Sequence, residues 1–272
     1  MKKVALITGA SSGMGKSTAN ILHSQGYTVY GAARRTDEMN DLKAKGMGVV
    51  SLDLTNDTSI IEAVNSILEK EGRIDILINN AGYGSYGAVE DVTLDEARRQ
   101  FEVNLFGMAR LTQLVLPGMR KQKSGRIVNI SSMGGKIYTP LGAWYHATKH
   151  AVEGWSDCLR LELKGFGIDV VIVEPGIIKT PWGKIAAENL KKTSGTGAYA
   201  NFANKIAMNF EKMQTGNQMT DVEVLGKTIA KAATDKKPKT RYVKGNMAKP
   251  AMAIRKWFGD NVYDKIIMSQ AK

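Results

Sequence analysis

A phenol and an ammonium stand four residues apart in the run Tyr145-His146-Ala147-Thr148-Lys149. On a helix that spacing projects both groups from one face. Free tyrosine titrates near pH 10, and a neighbouring cation favours its phenolate and lowers that value. A tyrosine tuned in this way gives a proton to a carbonyl oxygen, or takes one from an alcohol, close to neutral pH. Thirteen residues upstream, Ser132 follows a Val/Ile-rich stretch that reads as a strand over 125–131. Ligands of open α/β sheets bind at the carboxyl ends of the strands, so the Ser132 hydroxyl is placed to hold a substrate oxygen beside Tyr145.

Such chemistry needs a redox partner, and the N-terminus offers a seat for one. Thr8-Gly9-Ala10-Ser11-Ser12-Gly13-Met14-Gly15 lies between a predicted strand (3–8) and a predicted helix (13–26). Glycines there permit a tight turn and close approach of the backbone to a pyrophosphate, whose charge meets the helix N-terminal N–H groups. Gly9, Ser11, Ser12, Gly13, Met14 and Gly15 are therefore candidate dinucleotide contacts, in the spacing GxxxGxG. The second predicted strand (28–33) runs into Gly31-Ala32-Ala33-Arg34-Arg35. No carboxylate stands where an NAD site would place one for the ribose 2′-OH. Two guanidinium groups suit a 2′-phosphate, so the expected cofactor is NADP(H), with a plain surface arginine pair as the other reading. Lys16 either assists with the anion or is simply solvated.

The elements that must position these groups follow an alternating pattern. Further strands are expected at 48–52, 74–79, 168–174 and 240–244, and helices at 37–46, 56–71, 93–121, 142–166 and 220–234, with a helical C-terminus. Ile60, Ile61, Val64, Ile67 and Leu68 form the apolar stripe of the 56–71 helix, which Asp57 and Thr58 could cap. Strands alternating with amphipathic helices argue for a parallel sheet covered on both faces. Residues 177–218, polar with scattered aromatic and Met side chains, read as short helices forming a flap over an apolar pocket. No repeat or low-complexity tract interrupts the chain, and one domain over 1–272 is expected.

Taken together, the glycine turn, Asn79-Asn80-Ala81-Gly82, Asn104, Ser132, Tyr145-x-x-x-Lys149 and Pro175-Gly176 resemble the single-domain short-chain dehydrogenase/reductase family in order and spacing, over residues 3–180. The resemblance implies a Rossmann-type doubly wound α/β fold of three layers, with a parallel sheet in the order 3-2-1-4-5-6-7. It implies hydride transfer between NADP(H) and a small carbonyl or secondary alcohol. Tyr145 would be the general acid/base, Lys149 would bind the nicotinamide ribose and tune it, and Ser132 would orient the substrate. Asn104 would hold a water behind Lys149, or only accommodate a helix irregularity. Asp53 with Leu54 would meet the adenine, or Asp53 would cap a turn. Asn80, Ala81 and Gly82 would line the adenosine side or brace the central strands. Pro175, Gly176, Ile177, Ile178 and Thr180 would reach the carboxamide end, or Pro175-Gly176 would merely end a strand. His146 and His150 are expected to pack or to meet a partner subunit. The long helices 93–121 and 142–166 imply a homodimer or homotetramer. Residues 237–267 are loosely similar to hydroxysteroid- and retinol-type members.

Composition narrows the setting. The chain has 272 residues, 43% hydrophobic and 24% charged, ordinary for a globular protein. The lone Cys158 forms no internal disulfide, the histidines show no metal-ligand spacing, and a cytoplasmic protein without a metal is expected. The apolar run Val4 to Ile7 is too short for a secretory signal, and no stretch suits stable membrane insertion. Of the net charge of +12, residues 236–272 carry +8, with ten basic against two acidic side chains. No nucleic-acid motif accompanies this tail, so no nucleic-acid partner is expected. Trp257-Phe258 beside Arg255-Lys256 suggests either a membrane interface or, the reading preferred from sequence, packing against the body. A catalytically idle NADP(H)-sensing protein is the alternative to an enzyme, and its mark would be a broken Ser–Tyr–Lys set, whereas here the set is intact.

Overall fold

The computed structural model describes residues 2–215 and 219–269. The parts of the expected flap and basic tail at 216–218 and 270–272 lie outside the described residues. Seven strands form one parallel sheet: β1 (Val4–Thr8), β2 (Thr28–Ala33), β3 (Gly48–Ser51), β4 (Ile76–Asn79), β5 (Gly125–Ile130), β6 (Ile168–Pro175) and β7 (Arg241–Lys244). Their order is 3-2-1-4-5-6-7, as expected from the resemblance. The order reverses between β1, paired to β2 from Val4↔Thr28 to Thr8↔Ala32, and β4, paired to β1 from Ala5↔Ile76 to Ile7↔Ile78. That reversal opens the crevice in which ligands of such sheets bind.

Both faces of the sheet are covered, which is why β4 and β6 read as nearly continuous apolar runs. On one face Leu6, Leu77 and Ile127 pack against α3 (Asp57–Glu71), α5 (Gly107–Gln122) and α6 (Ala143–Leu163) through Ile60, Ile67, Leu111, Val115 and Leu159. On the other, Ile7, Ile78 and Val128 meet Leu22 of α1 (Gly13–Ser24), Leu42 of α2 (Asn40–Ala44) and Ile229 of α9 (Val222–Thr234).

Several local features differ from the sequence reading. Helix α3 is capped by Asn56, whose side chain accepts from the Ser59 N–H at 3.0 Å, rather than by Asp57 or Thr58. The expected 37–46 helix is a 3₁₀ turn, Asp37–Met39, followed by the short α2. The expected 93–121 helix is divided into α4 (Leu94–Phe101) and α5 by a π-helical turn, Glu102–Phe106. An extra residue in that turn rotates the face of α5 about the helix axis relative to α4. Gly107, at the exit, lies so close to β3's following loop that a Cβ there would stand 2.1 Å from the Leu54 carbonyl oxygen. The flap is two full helices, α7 (Trp182–Ser194) and α8 (Ala200–Thr215). Finally, α10 (Ala248–Ser269) carries Trp257 and Phe258 with 75% and 66% of their surface exposed. The preferred expectation that they pack on the body is therefore corrected. The apolar contacts of α10 are made instead by Ala251 and Tyr263, with Met252, Ile254 and Ile267, against Ile137 and Tyr138.

Candidate active site

The glycine turn sits where β1 hands over to α1. Gly9 has φ +67°, and a Cβ on it would stand 2.9 Å from the Asn80 amide nitrogen. Gly15 is held under the turn, where a Cβ would approach the Gly9 carbonyl oxygen to 2.4 Å. Gly9 demands glycine for space and for conformation, and Gly15 for space. The α1 N-terminus has no acidic residue in its first turn, and the Ser12 side chain makes no cap bond. Its N–H groups and positive dipole end thus face the cleft.

That cleft has a volume of about 540 Å³ and is lined by Gly9, Ser11, Ser12, Gly13 and Met14 at one wall and Arg34, Arg35, Asp53 and Leu54 at another. Asn80, Ala81, Gly82 and Thr180 complete it among the expected residues. A donor-rich helix end, a close-packed glycine turn and two guanidinium groups in one cleft fit a phosphorylated dinucleotide. Arg35 pairs with Glu38 at 3.0 Å. Arg34 faces Asp53; burial pushes the Asp53 carboxyl up, but bonds from the Thr55 N–H and hydroxyl, with Arg34 and Arg99, bring it below its ordinary value. Asp53 therefore closes a turn and lines the cleft at once. Lys16 is turned away, bound to Asp41 at 2.8 Å and to the Glu38 carbonyl at 3.1 Å. Asn80 ties β4 to β1, its amide donating to the Thr8 carbonyl at 2.9 Å, while its Oδ1 is buried with no partner.

Ser132, Tyr145 and Lys149 come together at the carboxyl ends of β5 and β6. Ser132 follows β5 and its hydroxyl accepts from the Gly134 N–H at 3.0 Å, opening a 3₁₀ turn, Met133–Gly135. Tyr145 and Lys149 lie on one face of α6 and both are buried. Burial raises the Tyr145 phenol above its ordinary value and a hydrogen bond with Ser132 opposes this. Among the chain's own groups desolvation of the phenolate outweighs the Ser132 bond, and the expected lowering is one that Lys149 and a positive nicotinamide would supply together. Lys149 donates to the Ile130 carbonyl at 2.9 Å. Burial lowers its ammonium to about 8, with Glu153 acting in the opposite sense.

Asn104 sits in the π-helical turn. Its Oδ1 accepts from the Tyr83 N–H at 3.0 Å, and its Nδ2 donates to the Tyr83 carbonyl at 2.9 Å and to Thr148 Oγ1 at 3.1 Å. It thus links the loop after β4 to α6. His146 packs, one of the two roles expected of it. Thr139 N–H donates to its Nε2 at 3.0 Å, so the ring proton is on Nδ1 and is donated to the Gly134 carbonyl at 2.9 Å. Burial lowers the His146 ring to about 4, and the ring is neutral. Pro175, Gly176 and Ile178 lie outside the cleft lining: Gly176 packs on Asn246 and Gly245, and Ile178 bridges to Thr220.

The structure adds residues that sequence reasoning did not single out. The ring of Tyr86 lies 5.7 Å from that of Tyr145, and Trp182 of the flap lies 5.3 Å from it. Phe210 of α8 closes the aromatic wall against Tyr86 at 5.3 Å. Trp182 was visible only as one scattered aromatic. Tyr86 and the cleft residue Arg99 carried no signal, since no spacing in the chain connects them to Tyr145 or to Arg34.

Against known proteins, the model of the family described as short chain dehydrogenase matches residues 3–191. A 3-ketodihydrosphingosine reductase of Bacteroides thetaiotaomicron is 37% identical over 262 residues, covering 96% of this chain and 94% of that protein. An NADPH-dependent 3-dehydrocapnine reductase of Ornithobacterium rhinotracheale is 33% identical, covering 99% and 98%. The crystal structure of a short-chain dehydrogenase from Streptomyces avermitilis superposes with a TM-score of 0.80 at 34% identity, over 99% of this chain and 98% of that one. With a family model matched over most of its length and whole-length relatives above 30% identity, the chain belongs to the short chain dehydrogenase family, whose members are oxidoreductases that bind nicotinamide cofactors.

Proposed function

We propose that this protein is an NADP(H)-dependent reductase of a ketone carried on a long apolar chain, working as one domain, in the cytoplasm, as a homodimer or homotetramer. The observation that carries the reading is the buried Tyr145 phenol, hydrogen-bonded to Ser132 one helical turn from Lys149 and packed against Trp182, which lines the cleft that holds Arg34. Gly9, Ser11, Ser12, Gly13, Met14 and Gly15 would hold the pyrophosphate, Arg34 and Arg35 the 2′-phosphate, and Asp53, Leu54, Asn80, Ala81 and Gly82 the adenosine half. Pro175, Gly176, Ile178 and Thr180 would bound the nicotinamide end. When bound, the nicotinamide supplies the hydride.

The chain's own groups handle the oxygen. Ser132 and Tyr145 hold the carbonyl oxygen, and Tyr145 donates its proton as negative charge builds there. Lys149 would bind the ribose, and its charge would stabilise the phenolate left behind. Asn104, fixed between Tyr83 and Thr148, would position a water that returns the proton through Lys149. The long-chain substrate is supported by the aromatic wall of Tyr86, Trp182 and Phe210 and by the names of the two reductases at 37% and 33% identity. Exposed Phe106 and Leu161, beside α5 and on α6, support oligomer formation through those helices.

A panel of ketones, short and long, followed by loss of NADPH absorbance tests the reading. Long-chain 3-ketones should have the highest kcat/KM, NADPH should be preferred over NADH, and Tyr145→Phe should lower kcat by about a thousandfold while nucleotide binding persists. Equal activity in Tyr145→Phe would overturn it.

A further inference from the structure

We infer that the outer face of α10 is a docking surface for an anionic lipid bilayer, on which the protein rests without crossing it. The inference does not depend on the proposed substrate. No helix among the described residues is long and apolar enough to cross a membrane. Yet Trp257, Phe258, Val262, Ile266 and Met268 of α10 expose 75%, 66%, 40%, 36% and 45% of their surface. Gly259 divides α10 into two helical segments, with Trp257 and Phe258 on the first and Val262, Ile266 and Met268 on the second. Exposed apolar side chains beside lysines on both have the composition of a membrane-interfacial element.

The charges sort in the same sense. Lys249, Lys256 and Lys265 are exposed on α10. Its two acids are engaged from the body side, where the Tyr138 hydroxyl meets Asp260 at 3.2 Å and Asp264 at 2.8 Å. Arg255 lies over the Tyr138 ring at 4.5 Å and donates to the Lys136 carbonyl at 2.6 Å. Arg255, Asp260, Tyr263 and Asp264 thus tie α10 to the segment following Ser132, while Trp257, Phe258 and the three lysines are exposed. Gly259, at φ +74°, bends the chain immediately after Trp257-Phe258 and sets the pair at a corner.

Charge decides between possible occupants. A two-fold contact lays a patch against its own copy, which here would press the exposed Lys249, Lys256 and Lys265 toward the same lysines of the second copy. Nucleic acid would meet the lysines but would leave the aliphatic strip in water. A bilayer with anionic headgroups satisfies both, burying the rings near the acyl boundary while lysines meet phosphate and carboxylate.

Vesicle co-sedimentation of the full chain tests this, with phosphatidylcholine alone and with phosphatidylcholine mixed with phosphatidylserine. The protein should bind the mixed vesicles at low salt, release at high salt, and leave the neutral ones largely unbound. Lys256→Gln and Lys265→Gln should each weaken binding about fivefold. Trp257→Ser with Phe258→Ser should weaken it at least about tenfold, with an unchanged thermal midpoint as the control for folding. Should that pair misfold, Trp257→Phe serves: mixed vesicles should shift tryptophan emission to the blue in the parent and much less in this variant. No binding to mixed vesicles, or equal salt-insensitive binding to neutral ones, overturns the inference. So does an oligomer that the Trp257/Phe258 substitutions dissociate while vesicles bind nothing.

Discussion

Tyr145, Lys149, Glu153 and Asp157 follow one another at four-residue steps on α6, and the two halves of this row are built on opposite electrostatic plans. In the first half a buried ammonium has the Ile130 carbonyl as its hydrogen-bond partner and its pKa falls to about 8. In the second half Arg241 of β7 gathers carboxylates, bonding Glu153 Oε2 at 2.9 Å and Asp157 Oδ2 at 2.6 Å, with Glu174 at 3.4 Å. Lys136 adds a second cation on Glu153 at 2.9 Å. Those partners outweigh the burial that lowers Arg241, and its guanidinium is held still more firmly protonated. A lysine left short of counter-charge can tune a neighbour. An arginine saturated with it fixes geometry and keeps its proton.

Breaking each half should separate activity from stability. The largest effect is expected from Lys149→Met, which removes the tuning cation while filling its volume. The kcat for ketone reduction should fall about a thousandfold, with the urea midpoint little changed or raised, because a desolvated charge has been deleted. Arg241→Met should do the reverse. Stripping the cation from Glu153 and Glu174, both buried, should cost about 3 kcal/mol in urea unfolding, while kcat at saturating substrate stays within about tenfold of the parent. If Arg241→Met were as inactive as Lys149→Met yet fully stable, the two halves would not be distinct.

The two halves also differ in how far they could be read from the chain. Tyr145, Lys149 and Ser132 announce themselves because the spacing sits on one helix and after one strand. The sheet was legible for the same reason, since apolar runs and glycine turns are local. The ion cluster was not, because Glu153, Glu174 and Arg241 belong to three elements that meet only when β5, β6 and β7 lie side by side against α6. Asn104 lay between these cases. Its place in the family pattern was visible, but the π-helical turn that aims it leaves no periodic trace, since one added residue reads as ordinary helix. The exposure of Trp257 and Phe258 was equally hidden, because composition cannot say which aromatic finds a partner.

Glu153 joins the halves, and Glu153→Gln should have an intermediate effect. Its carboxylate supports the Lys149 ammonium, so its removal should lower the Lys149 pKa further. The alkaline limb of the kcat/KM profile for reduction should move to lower pH, with a loss within about tenfold at neutrality. An alkaline limb that stays in place would show that Glu153 serves only the Arg241 side.

The smallest effect should be in the pH dependence of stability. Burial is the largest cause raising Glu174, and Glu153 beside it adds to the rise against Arg241 and Lys136, carrying the carboxyl toward about 7. The folded protein then holds a proton that the unfolded chain releases above the ordinary carboxylate range. This contribution is complete below that range and is lost as pH rises through it toward 7. His146 runs the other way: its folded value near 4 lies below the unfolded one, so its contribution grows as pH rises from about 4 to 6.5. The parent's profile mixes the two, and only the difference between parent and Glu174→Gln isolates the carboxyl. Glu174 also lines a hollow beneath α10 with Lys136, Arg255 and Asp260, which gives its proton a way to water. In urea titrations between pH 5 and 7 the parent should lose on the order of 1 kcal/mol relative to Glu174→Gln as pH rises. A difference that is flat, or of opposite sign, would mean that Arg241 holds Glu174 ionised throughout and that the second half of the row is as fixed in charge as in shape.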